Sequence, residues 1–257
     1  MLSQKRALPL ATLILLVVLL SVSWELIAWL SPSSHLFIAT PSSSLDYTLT
    51  HAAQLAQASA VTGSEAVAGL ALAFLASLLT FVLLTLFPAA RAILVAPIIV
   101  SQVVPLITLA PVFVITLGPG LVSKVVMAAL ISYFPVVVAF LRSLEATPAP
   151  MVDFISLYHP RWAFRFFSIH LPLSVPMLMS SLRVSATLAL VGALVAEMTG
   201  ARLGLGKNLF LATRRLEPEL LMSSTILVCV LGGLNYCIAL LIEESLRRRH
   251  LLAHSSH

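Results

Sequence analysis

The sequence predicts an all-α, polytopic membrane protein with about six transmembrane helices, and three observations carry that prediction. Of 257 residues, 60% are hydrophobic and 10% are charged, where a soluble domain holds about 25% charged residues. Mean hydropathy is +1.05, more apolar surface than one soluble core can hide. The apolar residues also fall into runs of about 20, the length a helix needs to cross hydrocarbon. Short polar stretches separate the runs. Lipid is therefore the solvent for much of the chain, and a helix satisfies its own backbone there.

The first run, residues 7–30, follows Lys5 and Arg6. Ser21-Val22-Ser23 is a small-x-small pattern of the kind cleaved after a signal peptide. The apolar stretch continues beyond it to Leu30, which favours a retained helix with its N-terminus inside. Residues 31–64 contain no Lys or Arg, as the outer side of a positive-inside protein requires. Within them, 45–58 reads as a short interfacial helix or a plain external linker. Residues 65–87 form the second span, with Glu65 at its mouth. Gly69, Ala71, Ala73 and Ala76 are its small positions, which let helices approach closely in lipid.

Pro88-Ala89-Ala90-Arg91 is an inside turn, and residues 92–117 form the third span. It contains Pro97, Pro105 and Pro111. Three prolines free several carbonyls, which is tolerated where neighbours or a water cavity satisfy them. A helix broken beside a pathway and a merely kinked helix both fit. Residues 118–124 are an outside turn, and 125–141 complete the fourth span around Pro135. Residues 173–197 and 221–242 are the last two spans. Between them, 198–220 returns outside by alternation although it carries Arg202, Lys207, Arg214 and Arg215. That charge suits an acidic docking surface or local ion pairs. Arg247-Arg248-Arg249 ends the chain inside, and 250–257 reads as a disordered tail. The whole reads as a single transmembrane domain, 1–257, with both termini cytoplasmic.

The polar stretch 142–172 interrupts this pattern. It carries Arg142, Glu145, Asp153, His159, Arg161, Arg165 and His170, and each charge at a bilayer centre costs about 2.5–3.5 kcal/mol. It must lie in water, on the inside by its arginines. Met151, Phe154, Ile155 and Tyr158 stand at i, i+3, i+4, i+7, the spacing of one helix face. Such a helix either docks onto something in the water or lies solvated at the interface.

No catalytic constellation is present, and there is no Walker A sequence. Uphill transport would need an ion gradient or another subunit. Cys229 and Cys237 lie inside one apolar run without metal-site spacing, and the three tail histidines lack a second ligand set, so no metal is expected. Arg183 is the clear mid-span charge. It lies eleven residues past Pro172, about 16 Å into a helix at 1.5 Å per residue. It would line a pathway and draw an anion, or bond to helix ends. Glu197, near the outer end of the same run, would latch an outer gate, touch a partner, or cap.

Two stretches carry a family resemblance. The first has Leu171-Pro172, Val175-Pro176, Ser181-Leu182-Arg183, Ala186-Thr187 and Ala196-Glu197. The second has Pro97, Gln102, Pro105, Leu109-Ala110-Pro111, Gly118, Gly120, Ser123-Lys124 and Phe134-Pro135. In combined spacing they resemble the type I, binding-protein-dependent permeases of bacterial ABC importers, in the subgroup for nitrate, sulfonate, taurine and thiamine-precursor uptake. The resemblance covers most of 41–249. It departs at the coupling loop, where Val152-Asp153-Phe154 replaces the usual Glu-Ala-Ala and Tyr158 the usual Gly. The stretch from Trp162 to Pro172 is also one residue longer.

The resemblance implies a homodimer in the bacterial inner membrane. Two ATPase subunits would bind ATP and Mg, an extracytoplasmic binding protein would deliver a small solute, and the permease would work by alternating access. It implies ATPase coupling through Asp153, Phe154, Tyr158, His159 and Arg161, and a pathway near Arg183, Glu197, Gln102 and Pro105. Nitrate, alkanesulfonate, taurine, a pyrimidine precursor and a flavin all remain open as substrates, and Arg183 leans toward an anion. The other readings are a stand-alone secondary carrier or channel, which would transport without ATP, and a membrane-embedded enzyme, which the missing catalytic groups disfavour.

Overall fold

The computed structural model describes residues 10–30, 39–101 and 105–254. Every regular element among them is a helix. Helix α1 (Leu10–Leu30) leads to α2 (Pro41–Thr50) and α3 (Ala52–Leu86). Helix α4 (Pro88–Ser101) is followed by a 3-10 turn (Leu106–Leu109) and α5 (Ala110–Leu117). Helix α6 (Leu121–Glu145) leads to α7 (Ala149–Tyr158), the single turn α8 (Trp162–Phe164) and a π-helical turn (Arg165–His170). Helices α9 (Leu171–Met198), α10 (Leu205–Arg215) and α11 (Pro218–His254) complete the chain.

Four helical stretches are long and apolar enough to cross a bilayer: Ala52–Leu86, Leu121–Glu145, Trp162–Met198 and Pro218–Ser245. Two shorter apolar segments, Val18–Ala28 and Leu106–Leu117, stand where the first and third spans are expected.

The predicted order of helices holds, while several boundaries move. Helix α2 starts at Pro41, earlier than predicted, because Thr40 is a strong N-cap. Its Oγ1 accepts the Ser43 N–H at 3.1 Å, and proline suits the first helical position. Helix α3 begins at Ala52 and absorbs both the end of the predicted interfacial helix and the predicted loop. Glu65 is therefore inside a helix rather than at its mouth. The 250–257 tail was expected to be disordered; α11 instead continues to His254, and residues beyond that lie outside the described ones.

The centre is a three-helix contact of α3, α6 and α9. Lipid removes most of the hydrophobic drive between membrane helices, so close packing of small residues must hold them. A Cβ on Gly69 would lie 2.4 Å from Ala128 Cβ, and one on Gly192 would lie 2.7 Å from Ala128 Cα. Ala66, Ala128, Ala189 and Ala193 fill the same layer. Of the small positions predicted on α3, Gly69 and Ala73 face this contact while Ala71 and Ala76 are exposed. The face follows a spacing of four, with buried Ser77 donating to the Tyr133 carbonyl at 3.2 Å. Toward α7, the layer changes to aromatics: Phe81 stacks on Phe140 at 4.3 Å, and Phe166 joins them at 5.5 Å.

Large apolar side chains are exposed along the outer faces, including Leu75 at 63% and Leu79 at 61%. In a bilayer those faces meet lipid, which is why a chain this apolar need not bury them.

Candidate functional site

The stretch 142–172 folds as its composition requires. Pro148 precedes α7 in extended backbone, and Pro150 sits in the first turn, where proline loses no helical hydrogen bond. His159 ends the helix in the left-handed region, with φ 43°. None of the α7 residues is buried. Met151, Phe154 and Tyr158 of the predicted face are exposed, and only Ile155 is half-buried. Phe154 and Tyr158 lie with ring centroids 5.1 Å apart. Asp153, His159 and Arg161 are also exposed. Four of the five predicted coupling residues thus lie on one short helix and its C-terminal cap, with its apolar face uncovered, and Arg161 follows two residues later at the start of α8.

The chain then re-enters the bundle at a fixed point. Trp162 Nε1 donates to Thr85 Oγ1 at 3.3 Å, and its ring stacks on Phe166 at 5.2 Å. The return includes one departure from α-helical winding. Residues Arg165–His170 form a π turn, and the Leu171 N–H bonds to the Phe166 carbonyl, five residues back. A π turn takes up added chain without breaking the helix. The long stretch therefore continues into α9 as one rod.

The predicted pathway residues separate. Pro105 is exposed and opens the 3-10 turn between α4 and α5, so the proline-rich third span is broken rather than kinked. Gln102 lies outside the described residues. Arg183 Nε meets Glu243 Oε2 at 2.9 Å, and its Nη1 lies 3.5 Å from the Tyr236 hydroxyl. It points to α11 and its charge is matched there. A different face of α9 (Met177, Ser180, Ser181 and Val184) lines a cavity of about 360 Å³ against Pro135, Val138 and Arg142 of α6.

Glu197 is buried, at 1% exposure. Its Oε1 accepts from the Thr62 hydroxyl at 2.7 Å, and its Oε2 from the Gly206 N–H at 2.6 Å. Thr62 Oγ1 in turn accepts the Leu205 N–H at 2.9 Å. The first turn of α10 thus has its free N–H groups capped from two other helices. Gly204 and Gly206 make room for it: a Cβ on Gly204 would lie 2.3 Å from the Glu197 carboxyl carbon, and one on Gly206 would lie 2.4 Å from the Leu194 carbonyl.

Sequence reasoning missed the rest of this cluster. Glu65 and Lys124 are each 3% exposed, and both interact electrostatically with Glu197. Lys124 donates to the Gly120 carbonyl at 2.8 Å and also to the Pro119 carbonyl. Two acids brought to one buried point need a proton or a cation between them; Lys124 acts on both carboxyls electrostatically while its ammonium is bonded to the two carbonyls. The signal in the sequence was an acid and a lysine each flanking an apolar run; the loop boundaries drawn there placed both in water. This cluster sits at the N-terminal end of α6, whereas α7 follows its C-terminal end, so the two lie at opposite ends of the bundle.

A bundle of long apolar helices with large apolar side chains on its outer faces is the body of a multi-pass membrane protein. The sequence profile of the family described as "Binding-protein-dependent transport system inner membrane component" matches residues 86–249. The chain belongs to this family, and is a permease subunit of an ABC importer for small solutes. A probable ABC transporter permease protein of Haemophilus influenzae is 31% identical, over 91% of this chain and 95% of that one. A riboflavin transport system permease of Chloroflexus aurantiacus is 28% identical over 58% of this chain and 55% of its own. A formylaminopyrimidine transport permease of Halalkalibacterium halodurans is 33% identical over 42% and 43%.

Proposed function

We propose that this subunit works by alternating access as a homodimer in the bacterial cytoplasmic membrane. A single permease domain of 1–257, with both termini inside, pairs with two ATPase subunits and receives solute from an extracytoplasmic binding protein. The family implies ATPase and binding-protein partners in general; the twofold pairing and the orientation are our reading. ATP and Mg belong to the ATPase, and this chain performs no chemistry of its own. The observation that carries the reading is α7, a helix with no buried residue and an apolar face left open at one end of the bundle.

Asp153, Phe154, Tyr158, His159 and Arg161 are the residues we place against the ATPase. The aromatic rings would fill a groove there and the charges would fix the register. The pathway runs past Gln102 and Pro105 and along the α6–α9 groove, with Arg183 and Glu197 bracing its walls. Because Glu243 neutralises Arg183, the lean toward an anion is weakened. Relatives named for riboflavin and formylaminopyrimidine transport support a neutral or amphoteric small solute equally well. Reconstitution tests the reading. Liposomes holding the chain with its ATPase face inward, and loaded binding protein outside, should accumulate solute only with ATP in the lumen. Uptake by the chain alone, without ATP, would favour the stand-alone carrier.

A further inference from the structure

The α7 end of the bundle gathers charge from three helix ends. Arg91 stands in the first turn of α4, Glu145 is the last residue of α6, and Arg165 opens the π turn that leads into α9. The bond from Trp162 Nε1 to Thr85 Oγ1 fixes that turn against the end of α3. Arg91 and Arg165 both act electrostatically on His170, so the two guanidiniums lie around one side chain.

The positive charge there is not balanced. Arg91 Nη2 lies 3.7 Å from Glu145 Oε1, longer than a hydrogen bond, and Glu145 is largely open to water. Arg165 forms no ion pair with any described residue. Its Nε is enclosed without an acceptor, while the residue as a whole is half-buried. A guanidinium partly withdrawn from water without a counter-charge is costly, so an anion at its outer, open part is favoured. Arg142, exposed and one turn before Glu145, adds a third cation without an ion pair among the described residues. Three arginines thus face one carboxylate.

The setting selects the anion. All three elements end here because their apolar runs end here, which is the depth of lipid headgroups. Basic pockets between membrane helices at that depth suit anionic headgroups, and the planar guanidinium matches phosphate oxygens in pairs. Phe87 and Phe167, both exposed, stand four and two residues from Arg91 and Arg165 in the chain. The patch is therefore cationic and greasy at once, a combination that a water-soluble anion does not need.

We propose that Arg91 and Arg165 hold the phosphate of an anionic phospholipid, whose chains lie against Phe87 and Phe167. Binding of lipid here is independent of which solute the permease carries. A zwitterionic lipid fits less well, because its own ammonium group meets the arginines.

The test uses the full chain in mixed micelles with equal parts phosphatidylglycerol and phosphatidylcholine, and native mass spectrometry reads the ratio of the two lipids retained. The expected result is retention enriched in phosphatidylglycerol. Arg91→Gln and Arg165→Gln should each lower the enrichment about fivefold, the effect of one arginine near a membrane surface. Glu145→Gln removes the competing carboxylate and should raise it, a gain that misfolding cannot produce. An unchanged melting temperature verifies each variant. Equal retention of both lipids by the wild type overturns the proposal, as does undiminished enrichment in the Arg91→Gln/Arg165→Gln double variant. Glycerol phosphate added at constant ionic strength separates the two sources of phosphate: enrichment should survive it, and its abolition would assign the site to a soluble anion instead.

Discussion

Thr62 shows how much one residue can carry in this fold. Its single hydroxyl links α3 to the Glu197 carboxylate and to the Leu205 N–H. Thr62→Val keeps the shape and removes the hydroxyl, leaving a buried N–H without an acceptor, at a cost of about 1–3 kcal/mol. A lower melting temperature in detergent, with unchanged helix content at low temperature, is the expected result. Arg183 and Glu243 form a second pair that a cycle can isolate. Arg183→Ala and Glu243→Ala should each destabilise, and the double variant should cost less than their sum by about 0.5–3 kcal/mol, the range for contacting residues. Strict additivity in thermal unfolding would mean the two side chains do not share an interaction.

At the scale of elements, α3, α6 and α9 meet at Ala128, and the two glycines on either side predict different rescues. Gly69→Ala places a methyl 2.4 Å from the Ala128 side chain, while Gly192→Ala places one 2.7 Å from the Ala128 backbone. Overpacking of this kind costs about 1–3 kcal/mol. Ala128→Gly should therefore partly rescue Gly69→Ala and leave Gly192→Ala unrescued, as read by yield and melting temperature. Much of this level was legible in the sequence, because apolar runs, Gly69 and the prolines each constrain a helix locally. The loop boundaries around Glu65 and Lys124 were not, since they were drawn on the expectation that a charge at the edge of a run meets water. In the fold those charges are buried and act on each other electrostatically, 59 positions apart in sequence, and no local pattern reports that. The partner of Arg183 was hidden for the same reason: Glu243 lies on α11 and reads as a solvated helix end.

For the whole molecule, α6 separates two ends with different character. One holds a buried charge cluster; the other projects α7 with its rings uncovered. The position of α7 was legible because charges that cannot enter hydrocarbon mark it out. The charge cluster was not, because its residues come from three separate helices, α3, α6 and α9. Local pairs also account for part of the basic 198–220 stretch: Arg215 lies 3.7 Å from Glu217, and Arg214 lies 5.2 Å over the Phe210 ring. Exposed contacts like these contribute little stability, so Arg215→Ala should leave the unfolding free energy within about 0.5 kcal/mol of unchanged.

The most direct measurement is co-purification of the cognate ATPase through a tag on this chain, comparing the wild type with Asp153→Arg. The account predicts recovery of the ATPase in equal amount with the wild-type chain. It predicts loss of most of it with Asp153→Arg, while the variant still reaches the membrane at normal yield, because Asp153 is exposed and supports no core contact. Equal ATPase recovery from the variant and the wild type would contradict the placement of Asp153 in the coupling surface. No ATPase on either, across several mild detergents, would contradict coupling through α7 altogether.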